Sequence, residues 1–464
     1  MNYVSTNYVS TRGDTTPVSF SDALLRGLAP DGGLYMPAAW PQLESGWQAR
    51  LKGAPYTDYA FEVARAFAGG DFNDGDLRQL VATTYANFDH EDVAPIRELE
   101  PDLYLLELFH GPTFAFKDFA MQMLGHLFDA ALKKRNERRT IVVATSGDTG
   151  AAAVEALGGR ETLDLFVMHP EGRISDAQRR QMTTSTAANV HNIAVQGTFD
   201  DCQRILKSLF ADDTFRTGVC LGAVNSINWA RIMAQTAYFL ATAAKFDALA
   251  AYSVPTGNFG DIFAGFVARQ MGVAMGPMVI ATNSNDILHR TLTTGTYRIA
   301  DASATLSPAM DIQVASNFER LLFEVLGRDS GGLAALMDDL GRKGEMKIPE
   351  AALAQMRETF LSDHVSDAET SDEIRTTFEA TGVMVDPHTA VGLRAARRQL
   401  TEFSGPRIVL STAHPAKFAD TVEAATGNAP EMPPRLGQML SATEHFDTML
   451  PDAKAIKSYI RARI

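Results

Sequence analysis

The sequence predicts an α/β fold of two mostly parallel sheet domains, preceded by an N-terminal helical domain. From about residue 140, short apolar runs alternate with Ala-rich segments of helical spacing, whereas residues 13–95 lack β-branched runs. Strands that alternate with helices are typical of βαβ units, whose strands run parallel. The apolar runs are Ile141–Ala144, Leu165–Met168, Asn192–Val195, Ala250–Val254, Met278–Ala281 and Arg407–Leu410.

The N-terminal part of the chain favours helices. Ser21–Leu28 and Tyr59–Phe67 have apolar residues at helical spacing, and Ala29–Pro37 is a cluster of turn residues. A helical domain is therefore predicted for residues 1–95.

Two α/β domains are predicted to follow, over residues 96–225 and 226–464. At about 100–200 residues per domain, a chain of 464 residues accommodates two to four domains. Residues 329–380 are charged and amphipathic, without a clear strand, and are predicted to form a helical insertion in the last domain.

Charge and composition exclude several classes of partner. The formal net charge is −14, which disfavours nucleic acids and anionic membranes because both require basic surfaces. No apolar stretch reaches the length of about 20 residues that a membrane helix needs. The chain has two cysteines, Cys202 and Cys220, which predict neither a disulfide framework nor a zinc site. We expect a cytoplasmic protein without a bound metal.

Common nucleotide-binding and hydrolase motifs are absent from the sequence. It contains no G-x-G-x-x-G, no G-x-x-x-x-G-K-[ST], no H-E-x-x-H and no G-x-S-x-G. Dinucleotide-binding, nucleoside-triphosphate, zinc-protease and serine-hydrolase functions therefore lose their usual sequence support.

Two segments instead have the pattern strand, polar glycine loop, Ala-rich helix. They are Ile141–Leu157 (IVVATSGDTGAAAVEAL) and Ala251–Ala268 (AYSVPTGNFGDIFAGFVA). Free N–H groups and the helix dipole make such a helix start an anion site, and glycine permits close approach. Gly, Asp and Thr are also ordinary turn and cap residues. Two such loops together favour two anions bound at neighbouring strand ends.

Lys117 lies in an apolar segment, FAFKDFAM. If a helix begins after Gly111-Pro112, Phe114, Lys117 and Met121 share one face. Desolvation there would lower the lysine pKa and favour the neutral amine that Schiff-base chemistry requires. The alternatives are a lysine that extends to solvent or one that pairs with Asp118.

Ser411 and Thr412 end a strand that is predicted to be buried, in RIVLSTAHPAKF. Such a hydroxyl either closes the strand or contacts a ring nitrogen of a cofactor. A desolvated lysine, two anion loops and a strand-end hydroxyl together suit pyridoxal phosphate, which needs a lysine, a phosphate site and a group at its pyridine nitrogen.

At this level of detail the chain resembles the threonine synthases of bacteria and fungi. These belong to the fold type II pyridoxal-phosphate enzymes, which are similar to the tryptophan synthase β subunit. The resemblance runs nearly end to end, and its blocks occur in the same order. They are Tyr8–Gly13, Gly27–Pro37, Glu107–Asp118, Ala144–Gly150, Asn225–Ile232, Pro255–Asp261, Asp386–Gly392 and Thr412–Phe418.

The resemblance implies roles for particular residues. Lys117 matches the lysine that binds the cofactor covalently, and Thr412 matches the hydroxyl at its pyridine nitrogen. The loop for the cofactor phosphate corresponds to Gly257, Asn258, Phe259 and Gly260. The loop for the substrate carboxylate corresponds to Ser146, Gly147, Asp148 and Thr149, and contacts to the substrate phosphate correspond to Asn228 and Arg231. The wider fold group often has asparagine where Asp148 stands, near the phenolic oxygen of the cofactor, and an aspartate would repel a phenolate there.

The implied reaction converts O-phospho-L-homoserine and water to L-threonine and phosphate, with Lys117 as the base at Cα. The alternative is a phospho-lyase or serine/threonine dehydratase of the same fold, which would release a 2-oxo acid. A non-catalytic relative is disfavoured by the presence of the lysine and both loops. A monomer or homodimer is expected.

Overall fold

Helices and strands alternate along most of the chain in the computed structural model, which describes residues 6–14, 16–145, 147–222 and 224–464. The strands are β1 Tyr8–Ser10, β2 Tyr35–Pro37, β3 Ile96–Glu100, β4 Leu103–Glu107, β5 Arg139–Ala144, β6 Leu163–Pro170, β7 Val190–Val195, β8 Leu221–Gly222, β9 Ala251–Pro255, β10 Met278–Thr282, β11 Thr296–Arg298, β12 Glu345–Lys347, β13 Phe360–His364, β14 Arg407–Ser411 and β15 Asp447–Met449. The first ten helices are α1 Phe20–Arg26, α2 Trp47–Leu51, α3 Tyr56–Ala68, α4 Asp74–Tyr85, α5 Lys117–Arg135, α6 Asp148–Leu157, α7 Asp176–Thr183, α8 Phe199–Ala211, α9 Asp213–Gly218 and α10 Trp229–Lys245. The remaining helices are α11 Gly260–Gln270, α12 Ile287–Thr294, α13 Phe318–Val325, α14 Ser330–Lys343, α15 Glu350–Thr359, α16 Asp367–Thr381, α17 Pro387–Gln399, α18 Ala419–Thr426, α19 Pro434–Ser441 and α20 Ala453–Arg461, with short 3-10 helices at Pro308–Met310 and Pro415–Phe418.

The larger sheet has six strands in the order β13-β10-β9-β14-β4-β3. All neighbours run parallel except β3 and β4. Its central strand β9 is buried along its whole length, because helices cover both faces of a parallel sheet. Since parallel strands end at the same edge, the loops after β4, β9 and β14 meet there.

The smaller sheet has five strands in the order β15-β7-β6-β5-β8, and all pairs are parallel. The loop that follows β5 leads into α6. Two further sheets, β1-β2 and β11-β12, are antiparallel pairs. The predicted α/β class with two mostly parallel sheets is therefore confirmed.

The predicted domain limits differ from the sheet membership. Strands β3 and β4, predicted within the domain of residues 96–225, pair in the larger sheet with strands from beyond residue 226. Strand β15, predicted within 226–464, pairs with β7 in the smaller sheet, and α20 packs on α8. Which strands pair depends on how the segments meet in the folded protein, and the order of the strands along the sequence does not determine it.

The segment 329–380 is not purely helical as predicted. Helices α14, α15 and α16 are present, but the segment also contains two strands: β12, which pairs with β11, and β13 (Phe360–His364, FLSDH), which pairs in parallel with β10. Sequence reasoning missed β13 because it lies at a sheet edge, where a strand needs no continuous apolar run.

The N-terminal helices share a core with the rest of the chain. Helices α1 and α3 cover most of the two segments predicted to be helical, and α3 packs along α10. Within this core, the Trp229 ring contacts the rings of Tyr8 and Phe67, with centroids 6.0 and 5.4 Å away. The described residues of the range 6–95 therefore form a mostly helical layer on the main core. Among the described helices, none is both long and apolar enough to cross a bilayer.

Candidate active site

Lys117 is the first residue of α5. The helix does not begin directly after Gly111-Pro112, and Phe114 lies in the preceding loop with φ of 58°, so the condition under which Phe114, Lys117 and Met121 would share one helical face is not met. Asp118 holds this loop by accepting hydrogen bonds from the Thr113 backbone N–H and hydroxyl, at 2.8 and 2.7 Å. Burial raises the pKa of Asp118 to about 6. The loop thus presents Lys117 from the end of β4.

The Lys117 side chain is 12% exposed. Its Nζ lies 3.3 Å from Asp148 Oδ2 and 4.9 Å from the centre of the Phe116 ring. Burial is the largest influence on the Lys117 pKa and lowers it; the nearby Lys417 and Arg231 cations lower it further, while Asp148 opposes them. The desolvation that the apolar segment predicts is present, and a salt bridge accompanies it.

The segment after β14 runs directly beside Lys117. The Phe116 N–H donates to the Thr412 carbonyl at 2.9 Å, and the His414 N–H donates to the Phe114 carbonyl at 3.0 Å. The Ser411 hydroxyl lies 3.1 Å from that of Thr389 on α17. Ser411 is engaged by α17, which leaves Thr412 as the strand-end hydroxyl to consider, and its backbone lies beside the residue that precedes Lys117.

The loop Gly257–Gly260 connects β9 to α11. The Asn258 carbonyl accepts from the backbone N–H and side-chain Nδ2 of Asn317, at 3.0 and 3.1 Å, and Asn258 Oδ1 accepts from the Ser316 hydroxyl. Phe259 is buried in a left-handed conformation, with φ of 66°. With these oxygens engaged, the free N–H groups of the first turn of α11 remain for an anion.

The loop after β5 leads to Asp148, the first residue of α6. The Thr145 hydroxyl oxygen accepts from the N–H groups of Gly147 and Gly150, both at 3.0 Å. Gly147 has φ of 147°, and a Cβ there would lie 2.4 Å from Gln178 Cδ, so only glycine fits. Thr149 is half-buried in the first turn, and Ser146 lies outside the residues that the structure describes.

Asp148 is the centre of a buried ion cluster. Its Oδ1 lies 2.8 Å from Lys417 Nζ and accepts from Gln178 Nε2 at 3.2 Å, while its Oδ2 faces Lys117. Burial would raise the pKa of Asp148, but the Lys417 and Lys117 ammonium groups hold it well below its usual range. Sequence reasoning missed Lys417 and Gln178, although Lys417 sits among apolar residues in PAKF much as Lys117 does in FAFKD.

Arg231 and Asn228 lie at the start of α10 and differ in their roles. Asn228 caps the helix: its Oδ1 accepts from the Ala230 N–H at 3.1 Å, and its Nδ2 donates to the Leu24 carbonyl at 2.8 Å. Its predicted contact with substrate stays a prediction. Arg231 is buried, its pKa is lowered to about 10 by burial, and its Nη1 has no partner among the described residues.

Four helices, α5, α6, α10 and α11, begin at this site. A Cβ on Gly260 would lie 3.5 Å from Ile232 Cδ1, so the start of α11 adjoins the first turns of α10. The positive ends of these helix dipoles favour anions. Pyridoxal phosphate fits this arrangement, since the site offers a buried amine of lowered pKa, a glycine loop at a helix start and an unpaired guanidinium.

Comparison with known families covers most of the chain. Residues 7–85 match the family described as threonine synthase N terminus, residues 90–344 match pyridoxal-phosphate dependent enzyme, and residues 389–460 match threonine synthase, C-terminal.

Individual proteins are similar over almost their full length. A threonine synthase of Pseudomonas aeruginosa is 47% identical over 452 residues, which cover 97% of this chain and 96% of that one. A threonine synthase of Corynebacterium glutamicum is 44% identical, with 98% of each chain covered. The crystal structure of a threonine synthase from Brucella melitensis with bound pyridoxal phosphate has a TM-score of 0.97 at 45% identity, and covers 99% of both chains.

Proposed function

The chain belongs to the threonine synthase family of pyridoxal-phosphate-dependent enzymes, and on that premise we propose that it converts O-phospho-L-homoserine and water to L-threonine and phosphate. The observation that carries the proposal is the buried Lys117 amine, whose Nζ faces Asp148 at the meeting point of four helix N-termini. The Lys117 amine can act as a base, and the helix N-termini around it favour bound anions. The proposed substrate carries two anionic groups, a carboxylate and a phosphate.

The cofactor is proposed to occupy the space between the two sheets. Lys117 Nζ would hold it covalently, the loop Gly257–Gly260 would bind its phosphate, and the Thr412 hydroxyl would face its ring nitrogen. Bound pyridoxal phosphate supplies an electron sink that makes the Cα–H of an amino acid acidic. The backbone bond from Phe116 to Thr412 supports this assignment, because it fixes the segment of Thr412 against the residue that precedes Lys117, so both residues border one site.

Lys117 is proposed to be the base at substrate Cα, once the amino group of the substrate has displaced its Nζ from the cofactor. A neutral amine is needed to accept that proton, and burial among Phe116 and the neighbouring cations favours the neutral form. The same Nζ would return the proton to Cα at the end of the reaction, because the group that has accepted the proton is already placed at that atom.

The two substrate anions are proposed to occupy separate positions. The loop Ser146–Thr149 would bind the carboxylate through the N–H groups of Asp148 and Thr149 at the start of α6, since those of Gly147 and Gly150 donate to the Thr145 hydroxyl. Arg231 would bind the phosphate, because a buried guanidinium with an unpaired Nη1 is costly unless an anion compensates it. Binding at both ends would orient Cα toward Lys117.

A cytoplasmic location is part of the proposal and is supported by the two free thiols of Cys202 and Cys220. The oligomeric state, monomer or homodimer, stays a prediction.

The experiment that tests the function is product analysis in deuterated water. The enzyme is given pyridoxal phosphate and O-phospho-L-homoserine, and we expect phosphate together with threonine that carries deuterium at Cα and in the methyl group. In ¹⁸O-labelled water the Cβ oxygen of threonine should carry the label. Release of 2-oxobutyrate and ammonia as main products would indicate the lyase alternative, and unlabelled homoserine would indicate a phosphatase.

A further inference from the structure

A second buried lysine borders the site. Lys417 lies in the 3-10 helix Pro415–Phe418, and its side chain has no exposed surface. Its Nζ lies 2.8 Å from Asp148 Oδ1 and donates to the Thr113 carbonyl at 2.8 Å. It therefore joins the loop before Lys117 to the first residue of α6. An ammonium group shielded from solvent is tolerated only when it is well paired, so Lys417 depends on both Asp148 and the Thr113 carbonyl.

The two lysines share one carboxylate unequally. Asp148 Oδ1 is 2.8 Å from Lys417 Nζ, whereas Asp148 Oδ2 is 3.3 Å from Lys117 Nζ. Without Lys417, Asp148 would keep Lys117 as its only ammonium partner. A full negative charge would then face Lys117 and hold its proton in place.

We propose that Lys417 is a positioning residue that engages Asp148 and so prevents exclusive pairing of this carboxylate with Lys117, leaving the Lys117 amine free to give up its proton. The inference rests on the proposed function, because it requires Lys117 to be the cofactor lysine.

The remaining charged groups around Lys117 are consistent with this role. Arg231 on α10 adds positive charge, and Asp261 on α11 is the other nearby acid. Burial raises the pKa of Asp261 to about 7, so only about half of this acid is ionised in neutral solution, and its Oδ1 accepts from the Tyr238 hydroxyl; it therefore compensates less positive charge than Asp148 does. The ionised Asp148 is thus the main anion that Lys117 faces, and Lys417 is its closest counter-ion.

The pair of Lys417 and Asp148 also accounts for an aspartate at this position. Alone, the carboxylate would repel a phenolate oxygen of the cofactor. Paired at 2.8 Å with an ammonium group, it forms a unit of zero net charge. An aspartate is therefore compatible with the cofactor here because Lys417 accompanies it.

The test is the pH titration of the visible absorbance band of the holoenzyme, which reports protonation of the link between lysine and cofactor. We expect K417M to raise the midpoint by about one pH unit or more, the usual effect of one nearby charge. The midpoint rises because the variant loses the positive charge that offsets Asp148. The double variant K417M/D148N removes both charges, so its midpoint should return toward that of the unchanged enzyme. Met preserves most of the buried volume of lysine.

The control is K457M, which removes a lysine that pairs at 2.6 Å with Asp212 on the surface of the smaller sheet. Its titration should match the unchanged enzyme. If K417M titrates like the control, or if the double variant titrates like K417M, the inference is overturned. If K417M binds cofactor too weakly for a titration, the double variant must bind it more tightly, and equal affinities overturn the inference.

Borohydride reduction and peptide mapping of the unchanged holoenzyme distinguish a failure of the Lys417 proposal from a failure of the proposed cofactor site. Label on Lys117 with an unmoved midpoint in K417M refutes the role of Lys417 alone. Label on another lysine refutes the proposed site, and the inference with it.

Discussion

The backbone N–H of Phe116 donates to the carbonyl of Thr412 at 2.9 Å. This bond joins the loop that precedes α5 to the segment that follows β14, two segments that are far apart in the sequence. It sets Lys117 next to Thr412, and therefore connects the two residues expected at the reactive end and at the ring nitrogen of the cofactor.

Replacing Lys117 with alanine should abolish the covalent link to the cofactor and reduce turnover by about 10²–10⁴-fold or more, because the variant lacks the base at Cα. The measurement is the visible band and its borohydride reduction. Lys133→Ala, on the exposed part of the same helix, is the control and should behave like the unchanged enzyme. A borohydride-reducible link that persists in Lys117→Ala would assign the cofactor to another lysine.

Valine at Gly257 or Gly260 should weaken the affinity for pyridoxal phosphate. A Cβ on Gly257 would lie 2.8 Å from the Ala309 carbonyl, so the loop must shift there, whereas a Cβ on Gly260 would lie 3.3 Å from Asn317 Nδ2, a tight contact that Asn317 must relieve by moving slightly. Equilibrium titration of the apoenzyme with cofactor measures the effect. Gly341→Val is the control, since no atom lies within 4 Å of its Cβ position. Unchanged affinity in both loop variants would place the cofactor phosphate elsewhere.

Arg231→Gln should lower kcat/KM for O-phospho-L-homoserine by about 10–150-fold, the value of one or more lost charge-assisted hydrogen bonds. It should also weaken inhibition by inorganic phosphate. Asn228→Ala provides the contrast: loss of a helix cap should cost about 1 kcal/mol of unfolding free energy and leave phosphate inhibition unaltered. The reverse pattern would assign the phosphate contact to Asn228.

The unfolding free energy should depend on pH through Asp261. Burial raises its folded-state pKa to about 7, above an unfolded value of 3.8, so the folded state binds the extra proton. Stability from this group is present below the unfolded pKa and is lost as pH rises through the folded one, by up to about 4 kcal/mol. Urea unfolding of Asp261→Asn between pH 4 and 7.5 should lack this decline. Asp338→Asn, an exposed residue, is the control, and parallel curves for all three proteins would contradict the prediction.

Much of the site could be predicted from contiguous segments. The strand, glycine loop and helix of Ala251–Ala268 appear as β9, the loop Gly257–Gly260 and α11, because turn residues and helix starts are local properties. The apolar neighbours of Lys117 correctly indicated a desolvated amine. The substrate roles of Asn228 and Arg231 stay predictions, although the unpaired Nη1 favours Arg231.

The sequence by itself determined the α/β class, the two units of strand, glycine loop and helix, and, through its ordered blocks, the family; Lys117 as the cofactor lysine and anion binding by the two loops stay predictions. Only the tertiary structure decided that β13 and β15 complete the two sheets and that Lys417 reaches Asp148. Local propensities and turn chemistry depend on neighbours along the chain, so they can be read from one segment. Sheet edges and buried ion pairs depend on segments that meet only after folding, when the loss of solvent makes each charge require a particular partner.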